Sequence, residues 1–291
     1  MNAPTLAILG SVTVALALPP ATQSRRTVHL EGADCSQINM TFGDSLVARA
    51  EQRVTVPLAA GVLDVQPEAN GGIKIQRGSG RDYAITACIA AGGDTMAEAQ
   101  QAADAVRITV DGKRVRVENP VRARNWNVQF VIEAPDGARI TAETSNGPIG
   151  IEGASGQFNV RASNGPIGLD EVSGEVTARA ANGPISVSGS RGNFDVETSN
   201  GPIAVTLEGS RWDGRLEARA HNGPLTVRVP DQYQSGVEIT SSDHSPWSCR
   251  IAACRAGNRD WDDRSRSLRI GPDPVVVKIS TVNGPVTIRD R

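Results

Sequence analysis

Residues 146–187 read NGPIGIEGASGQFNVRASNGPIGLDEVSGEVTARAANGPISV, and this stretch decides the fold. It contains the tripeptide Asn-Gly-Pro three times, each copy starting 18 residues after the one before. The tripeptide also recurs further along the chain, and the complete set starts at Asn146, Asn164, Asn182, Asn200, Asn222 and Asn283. A fixed period of this length is the sequence signature of a repeat architecture.

Apolar and polar residues alternate on both sides of each Asn-Gly-Pro. Before the tripeptide, Phe158, Val176 and Phe194 occupy the same place in successive repeats. After it, each proline is followed by an aliphatic pair such as Ile167 and Leu169. Alternation with period 2 is typical of strands that bury one face. Each repeat is therefore predicted to hold two short strands around a narrow aliphatic interior.

The constant interval favours stacked coils over a series of hairpins. Stacking places equivalent residues about 4.8 Å apart in parallel ladders, and a single coil cannot bury its own apolar face without neighbours. The right-handed preference of strand crossovers favours a right-handed coil. We therefore predict an all-β fold, a single-stranded right-handed β-helix (β-solenoid) with coils of about 18 residues.

The six Asn-Gly-Pro turns have a structural interpretation. Asn tolerates left-handed backbone angles, Gly allows positive φ and Pro fixes φ at the start of the next strand. Asn side chains stacked at a corner can also bond to one another as an amide ladder. A row of Asn ligands for sugar or calcium is the alternative, but calcium-binding repeats have Asp in a Gly-rich nonapeptide. The sequence thus predicts a structural turn ladder, with no metal and no cofactor.

The N-terminal segment is typical of an exported protein. The first 24 residues carry no charged side chain, and Leu6–Leu18 is nearly all apolar, which is the length of a signal-peptide core and short for a membrane span. We predict that residues 1–24 are a signal peptide, with a retained anchor as the alternative. The mature chain would then lie in the periplasm or at the cell surface without a transmembrane segment. The mixed net charge of −2 argues against nucleic acid as a partner.

The four cysteines favour disulfides, because their number is even and the N-terminal segment predicts export. The preferred pairing joins Cys249 to Cys254 and Cys35 to Cys88. The first two cysteines are close in sequence, and pairing them leaves the other two to bond to each other. A metal site is the alternative. The Cys-x4-Cys spacing lacks a nearby second pair of the kind that zinc requires.

Beyond the signal peptide, two regions are expected. Residues 25–135 form an irregular N-terminal β region with a short helix near 95–106, which a Thr-x-x-Glu capping box would start. Residues 136–291 form the regular β-solenoid, interrupted by a Cys- and Trp-bearing insertion at 241–271.

The insertion is the best candidate for specific recognition. Trp247, Trp261 and Arg264 are its predicted binding residues, because Trp faces stack on sugar rings or anchor protein partners. The alternative is a stapled cap that packs its Trp side chains on the solenoid. Clustering of Asp262 and Asp263 with other acids would instead indicate glycoside chemistry.

The repeats, each with Asn-Gly-Pro, an aliphatic residue and a Gly corner, resemble the bacterial adhesin-like or "toastrack" β-strand repeat family. The resemblance covers roughly residues 54–289 and is strongest from Ile140 to Val229. It implies a β-helix at the cell envelope, with function largely unassigned and no catalytic residues to carry over. We therefore expect a non-enzymatic scaffold or adhesin-like interaction protein that binds an envelope protein or surface glycan. The alternative is a carbohydrate-binding or carbohydrate-active protein, similar to a lyase or hydrolase.

Overall fold

The computed structural model describes residue 35 and residues 40–67, 71–119 and 125–291. Within them the chain is all-β, as predicted, and its strands form two long mixed sheets. Sheet 1 has 11 strands and sheet 2 has 12. The predicted signal peptide at residues 1–24 lies outside the described residues.

The elements are short, as a two-strand repeat requires. In chain order the strands are β1 Leu46–Val56, β2 Leu63–Val65, β3 Ile73–Arg77, β4 Tyr83–Gly93, β5 Arg107–Asp111, β6 Arg114–Glu118, β7 Trp126–Ala134, β8 Ala138–Asn146, β9 Ile149–Glu152, β10 Ser155–Asn164, β11 Ile167–Asp170, β12 Ser173–Asn182, β13 Ile185–Gly189, β14 Arg191–Asn200, β15 Ile203–Leu207, β16 Asp213–Asn222, β17 Leu225–Arg228, β18 Gly236–Ser242, β19 Trp247–Cys249, β20 Asn258–Trp261, β21 Ser265–Ile270, β22 Val275–Asn283 and β23 Val286–Arg289. The described helices are α1 Met96–Ala105, α2 Ala253–Ala256 and a 3-10 turn at Leu58–Ala60.

Equivalent residues of successive repeats pair in parallel. In sheet 2, Val176 of β12 pairs with Phe158 of β10 on one side and with Phe194 of β14 on the other. All three side chains are buried in the core between the sheets. In sheet 1, β9, β11, β13 and β15 follow one another in the same parallel manner. The predicted stacking of residues eighteen apart is therefore confirmed.

The Asn-Gly-Pro turns align at one corner between the sheets. Nδ2 of Asn182 donates to Oδ1 of Asn164 at 3.1 Å, and the same bond links each Asn of the series to the next. Close stacking requires glycine beside it, because a Cβ on Gly183 would lie 2.1 Å from the carbonyl oxygen of Gly165. The amides thus bond mainly to one another, which supports the structural interpretation of these turns.

The C-terminal repeat does not lie at the end of the stack. β22 pairs with β16, so Asn283 stands beside Asn222 although 61 residues separate them. The outer side of β22 pairs with β18, and the outer side of β23 pairs with β19. The segment predicted as an insertion between two coils thus lies beyond the final repeat. We call residues 236–270 the C-terminal cap.

The N-terminal end is arranged in the same way. β2 and β3 pair with β8 and β9 of the first regular repeat. The later strands β6 and β7 pair with the outer sides of β2 and β3. β5 then extends sheet 2, while β4 and β1 extend sheet 1. The strands predicted as irregular therefore continue the same two sheets.

Helix α1 begins with the predicted capping box. The Thr95 hydroxyl accepts from the backbone N–H of Glu98 at 3.2 Å, and the Glu98 carboxylate accepts from the backbone N–H of Thr95 at 3.3 Å. Reciprocal bonds of this kind satisfy two donors that a helix start leaves open. Ala99 and Ala103 are fully buried, so the helix covers the end of the stack with its small-residue face.

Both preferred disulfides are present. Cys35 bonds to Cys88 of β4, and Cys249 of β19 bonds to Cys254 of α2. Met40 and Phe42 pack near the first bridge, against the outside of sheet 1. The second bridge joins the two halves of the C-terminal cap.

A close carboxyl pair occupies the corner that follows β11. Glu171 has a positive φ of 52°, and its side chain is hydrogen-bonded to that of Glu208. This bond, together with the negative charge of Glu208, raises the pKa of Glu171. The folded chain therefore holds the proton more tightly than the unfolded chain does. The resulting stabilisation is present at low pH and is lost as pH rises through the folded pKa of Glu171.

Replacing Glu171 with Gln should remove this loss, because the amide resembles the protonated carboxyl. We expect the stability of the wild type to fall relative to that of Glu171→Gln as pH rises from 4 to 8. Urea unfolding at intervals across that range measures the difference. Glu143→Gln is the control, since the Glu143 side chain bonds to no described residue. Parallel curves for wild type and Glu171→Gln would contradict the prediction.

Candidate functional site

The candidate site lies on the C-terminal cap, which the pairing of β18 with β22 attaches to the stack. β21 runs antiparallel to β18, and β20 runs antiparallel to β21. β20 is consequently the edge strand of sheet 2, and β19 is the edge strand of sheet 1. The two edges carry Trp261 and Trp247. The fold thus brings two of the predicted binding residues to the same end of the molecule.

Trp247 is the inner member of the pair. Its side chain is half-buried and packs against the core, and its Nε1–H donates to Ser241 Oγ at 2.7 Å. Its polar group is therefore already satisfied within the cap. We conclude that Trp247 packs beneath the exposed surface of the cap. This agrees with the alternative interpretation of the insertion, in which its Trp side chains pack on the solenoid.

Trp261 is the outer member and is 51% exposed. Its ring centroid is 6.2 Å from that of Trp247, at an interplanar angle of 50°. The guanidinium carbons of Arg266 and Arg259 lie 5.1 and 5.8 Å from the Trp261 centroid. These distances allow attraction between each cation and the aromatic ring. We call Trp261, Trp247, Arg259 and Arg266 the Trp–Arg cluster.

Both arginines of the cluster are held by backbone carbonyls. Arg266 donates to the carbonyl oxygen of Ser245 at 2.9 Å, and Arg259 donates to that of Cys254 at 3.1 Å. Within the described part of the chain, neither guanidinium is ion-paired with a carboxylate. Their positive charge therefore remains available to a partner that lies on the Trp261 ring.

Arg264 is placed apart from this cluster. It is exposed in the turn between β20 and β21, where its backbone N–H donates to Asp262 Oδ1 at 2.7 Å. Among the described residues its guanidinium has no hydrogen-bond partner. The sequence analysis thus named the turn arginine and missed Arg259 and Arg266. The alternation of Arg259 with Trp261 was a usable signal, whereas Arg266 depends on the β20–β21 register.

Asp262 of the cap braces the turn between β20 and β21. Asp262 accepts from the backbone N–H groups of Arg264 and Ser265, both at 2.7 Å. These two bonds lower the pKa of Asp262, so it is the anion that braces the turn. Glycoside hydrolysis needs one carboxyl group that keeps its proton. Asp262 therefore does not supply the protonated carboxyl group that the carbohydrate-active alternative requires.

The Asp243-His244-Ser245 run also lacks the geometry of a triad. His244 contacts Asp243 and its side chain is 90% exposed, but Ser245 is buried and its hydroxyl lies 3.1 Å from that of Ser242. A nucleophile needs its base within hydrogen-bond reach. In the described residues no group of three His, Cys, Asp or Glu side chains is arranged to hold a metal ion.

Comparison with known proteins gives only remote similarity. No family model matches the sequence, and no curated protein matches it. Among solved structures, a "putative cell adhesion protein" from Clostridium sporogenes aligns over 84% of this chain and 100% of its own, with 10% identity and a TM-score of 0.31. A "putative adhesin" from Bacteroides fragilis aligns over 84% and 97%, with 8% identity and a TM-score of 0.30.

A third solved structure, a "putative lipid binding protein" from Parabacteroides distasonis, aligns over 82% of this chain and 96% of its own. Its identity is 10% and its TM-score is 0.26. Similarity this low does not place the chain in a family. None of the described helices has the length and apolar character needed to span a membrane.

Proposed function

We propose that the chain is an exported, non-enzymatic right-handed β-solenoid that acts as an adhesin-like interaction scaffold of the cell envelope. The observation that carries the proposal is the half-exposed Trp261, held between two arginines on a stiff two-sheet support. Residues 25–135 would close one end of the scaffold. Residues 136–291 would supply the stack, and the segment at 241–271 would present the binding surface.

The two disulfides support an oxidising location. Such bonds persist in secreted and periplasmic proteins and are rare in the cytosol. Cys249–Cys254 lies in the cap itself, where it restrains the strands that carry the Trp–Arg cluster. A binding surface that is already ordered loses less entropy when its partner arrives. The periplasm or the cell surface would provide the conditions for both bridges.

The chemistry of the cluster favours an acidic surface glycan as the partner. An exposed Trp ring offers a flat apolar face to the C–H groups of a sugar, and a guanidinium suits a carboxylate. Residues 241–271 contain six Arg and four Asp, so the segment is positive overall. A uronate-containing polysaccharide would satisfy the ring and the cations together.

Trp261→Ala should weaken this binding by at least about tenfold, since exposed aromatic anchors carry much of a binding free energy. The measurement is binding of residues 25–291 to arrayed uronate-containing and neutral oligosaccharides of matched length. Met96→Ala is the control, because Met96 is also half-exposed but lies on α1 at the other end of the stack. Equal binding by Trp261→Ala and wild type would refute the proposed surface. A preference for neutral oligosaccharides would refute the role of the arginines.

A further inference from the structure

The outer face of sheet 2 has a polar cleft far from the Trp–Arg cluster. It has a volume of about 230 Å³ and crosses β8, β10 and β12, with Val62 at its border. Two columns of outward side chains line it, and each strand contributes one side chain to each column. The columns arise because paired residues lie side by side in a parallel sheet. The columns are Arg139, Gln157 and Glu175, and Thr141, Asn159 and Thr177.

The hydrogen-bonding groups of these six side chains are free with respect to the described part of the chain. None of them makes a side-chain hydrogen bond or an ion pair with a described residue. Oδ1 of Asn159, in the middle of the cleft, is shielded from solvent and without a partner. A shielded acceptor of this kind costs about 1–3 kcal/mol when it is left unpaired. The cleft therefore presents hydrogen-bonding groups, including one shielded acceptor, that no described residue uses.

Further along the same face, outward side chains form ion pairs. One strand beyond the cleft, Asp195 is paired with Arg179 and also with Arg219. Arg219 in turn contacts Glu217, so charges on β12, β14 and β16 neutralise one another. Ion pairing of this kind is what the alternating charges of a solvated face produce. The ion pairs of this face therefore lie towards β14 and β16, whereas the cleft side chains on β8, β10 and β12 form none.

The volume of the cleft and the hydrogen-bonding groups that line it indicate the class of ligand. The cleft is smaller than the roughly 300–1,000 Å³ of sites for drug-sized molecules, so it suits one ring-sized unit. Amide and hydroxyl groups both donate and accept hydrogen bonds, as the hydroxyl groups of a sugar do. Arg139 and Glu175 stand two strands apart, about 10 Å at the normal strand spacing, and mark the two ends of the cleft.

We propose that this cleft binds a single pyranose unit of a saccharide, with Asn159 and Gln157 bonding its hydroxyl groups. The site is separate from the Trp–Arg cluster and does not depend on the proposed function of the cap. It would give the scaffold a second contact point, on a side of the stack rather than at its end. Two such contacts on one rigid body raise the overall affinity for a long chain.

The test is a titration of the Trp261→Ala protein, residues 25–291, with glucose, galactose, N-acetylglucosamine, glucosamine and glucuronate, followed by amide NMR shifts. Using this variant removes the cap from the measurement. We expect at least one sugar to give saturable shifts confined to residues 139–141, 157–159 and 175–177. Asn159→Leu should weaken the binding of that sugar at least about tenfold, because the variant loses the hydrogen bonds of the amide.

Asn193→Leu is the matched control. Asn193 is exposed on β14, two strands from the β10 position of Gln157 in the same column, and lies outside the cleft. Its replacement should leave the titration unchanged. Thr177→Val provides a second cleft variant of nearly unchanged shape if Asn159→Leu fails to fold. The absence of saturable shifts up to 100 mM for every sugar would overturn the proposal, as would equal binding by the control and cleft variants.

Discussion

Gly183→Ala is expected to destabilise the protein by more than about 3 kcal/mol, or to prevent folding, because the added methyl group has no space. The Cβ would lie 2.1 Å from the Gly165 carbonyl oxygen, which is part of the backbone of the next repeat. Relief of this clash would require the two repeats to separate, and the amide bond between Asn182 and Asn164 would then lengthen. Urea unfolding followed by circular dichroism measures the loss.

Gly150→Ala is the matched control for that experiment. Gly150 is a glycine of the repeats that lies on strand β9, and nothing lies within 4 Å of the position where its Cβ would be. We expect this variant to be as stable as the wild type or more stable, since alanine lowers the entropy of the unfolded chain. Equal effects of the two substitutions would show that the turns are not stacked at backbone contact.

Trp212→Ala should produce the second large loss, about 3–5 kcal/mol, because it empties the space of a large buried side chain. Trp212 is 4% exposed and meets Phe194 edge to face, with ring centroids 5.5 Å apart. Its Nε1–H donates to the carbonyl oxygen of Gly192 at 2.9 Å. The side chain therefore secures the corner where the repeat spacing lengthens by four residues, from 18 to 22.

Trp212→Phe separates the two contributions of this side chain. A phenyl ring keeps most of the contact with Phe194 but cannot donate to Gly192, so we expect a loss well below that of the alanine variant. Thermal unfolding of both variants measures the difference. A Phe variant as unstable as the Ala variant would show that the hydrogen bond, rather than packing, dominates.

The periodic part of the fold could be predicted because equivalent residues of successive repeats lie in the same environment. The interval of 18 residues predicted that Phe158 and Val176 lie side by side on neighbouring strands, and they pair in this way. The positions of the end repeats could not be predicted in this way. Asn283 begins a copy of the repeat tripeptide. The residues around it do not indicate whether its strand pairs with the strand of Asn222, as it does, or with a strand of the cap.

The candidate site was predictable only in part, for a related reason. The sequence places Trp247 and Trp261 in one insertion beside a predicted disulfide, and this selected Trp261 whatever the register. Arg266 reaches the ring only because it pairs across β20 and β21 with Trp261. The cleft around Asn159 gave no signal at all in the sequence, since its residues have the same polar character as an ordinary solvated face. The shielded Oδ1 of Asn159 distinguishes the cleft, and the sequence does not reveal it.

The order of the strands has a consequence for biosynthesis. A nascent chain can add repeats one after another as they leave the ribosome, up to β17. The cap emerges next, and β18 can pair with β21 of the cap itself. Attachment of β18 and β19 to the stack, however, needs β22 and β23, which follow the cap in the chain. The cap can therefore join the stack only after residues 275–289 have been made, and a chain that stops before Val275 would leave the edges of β16 and β17 open to other molecules.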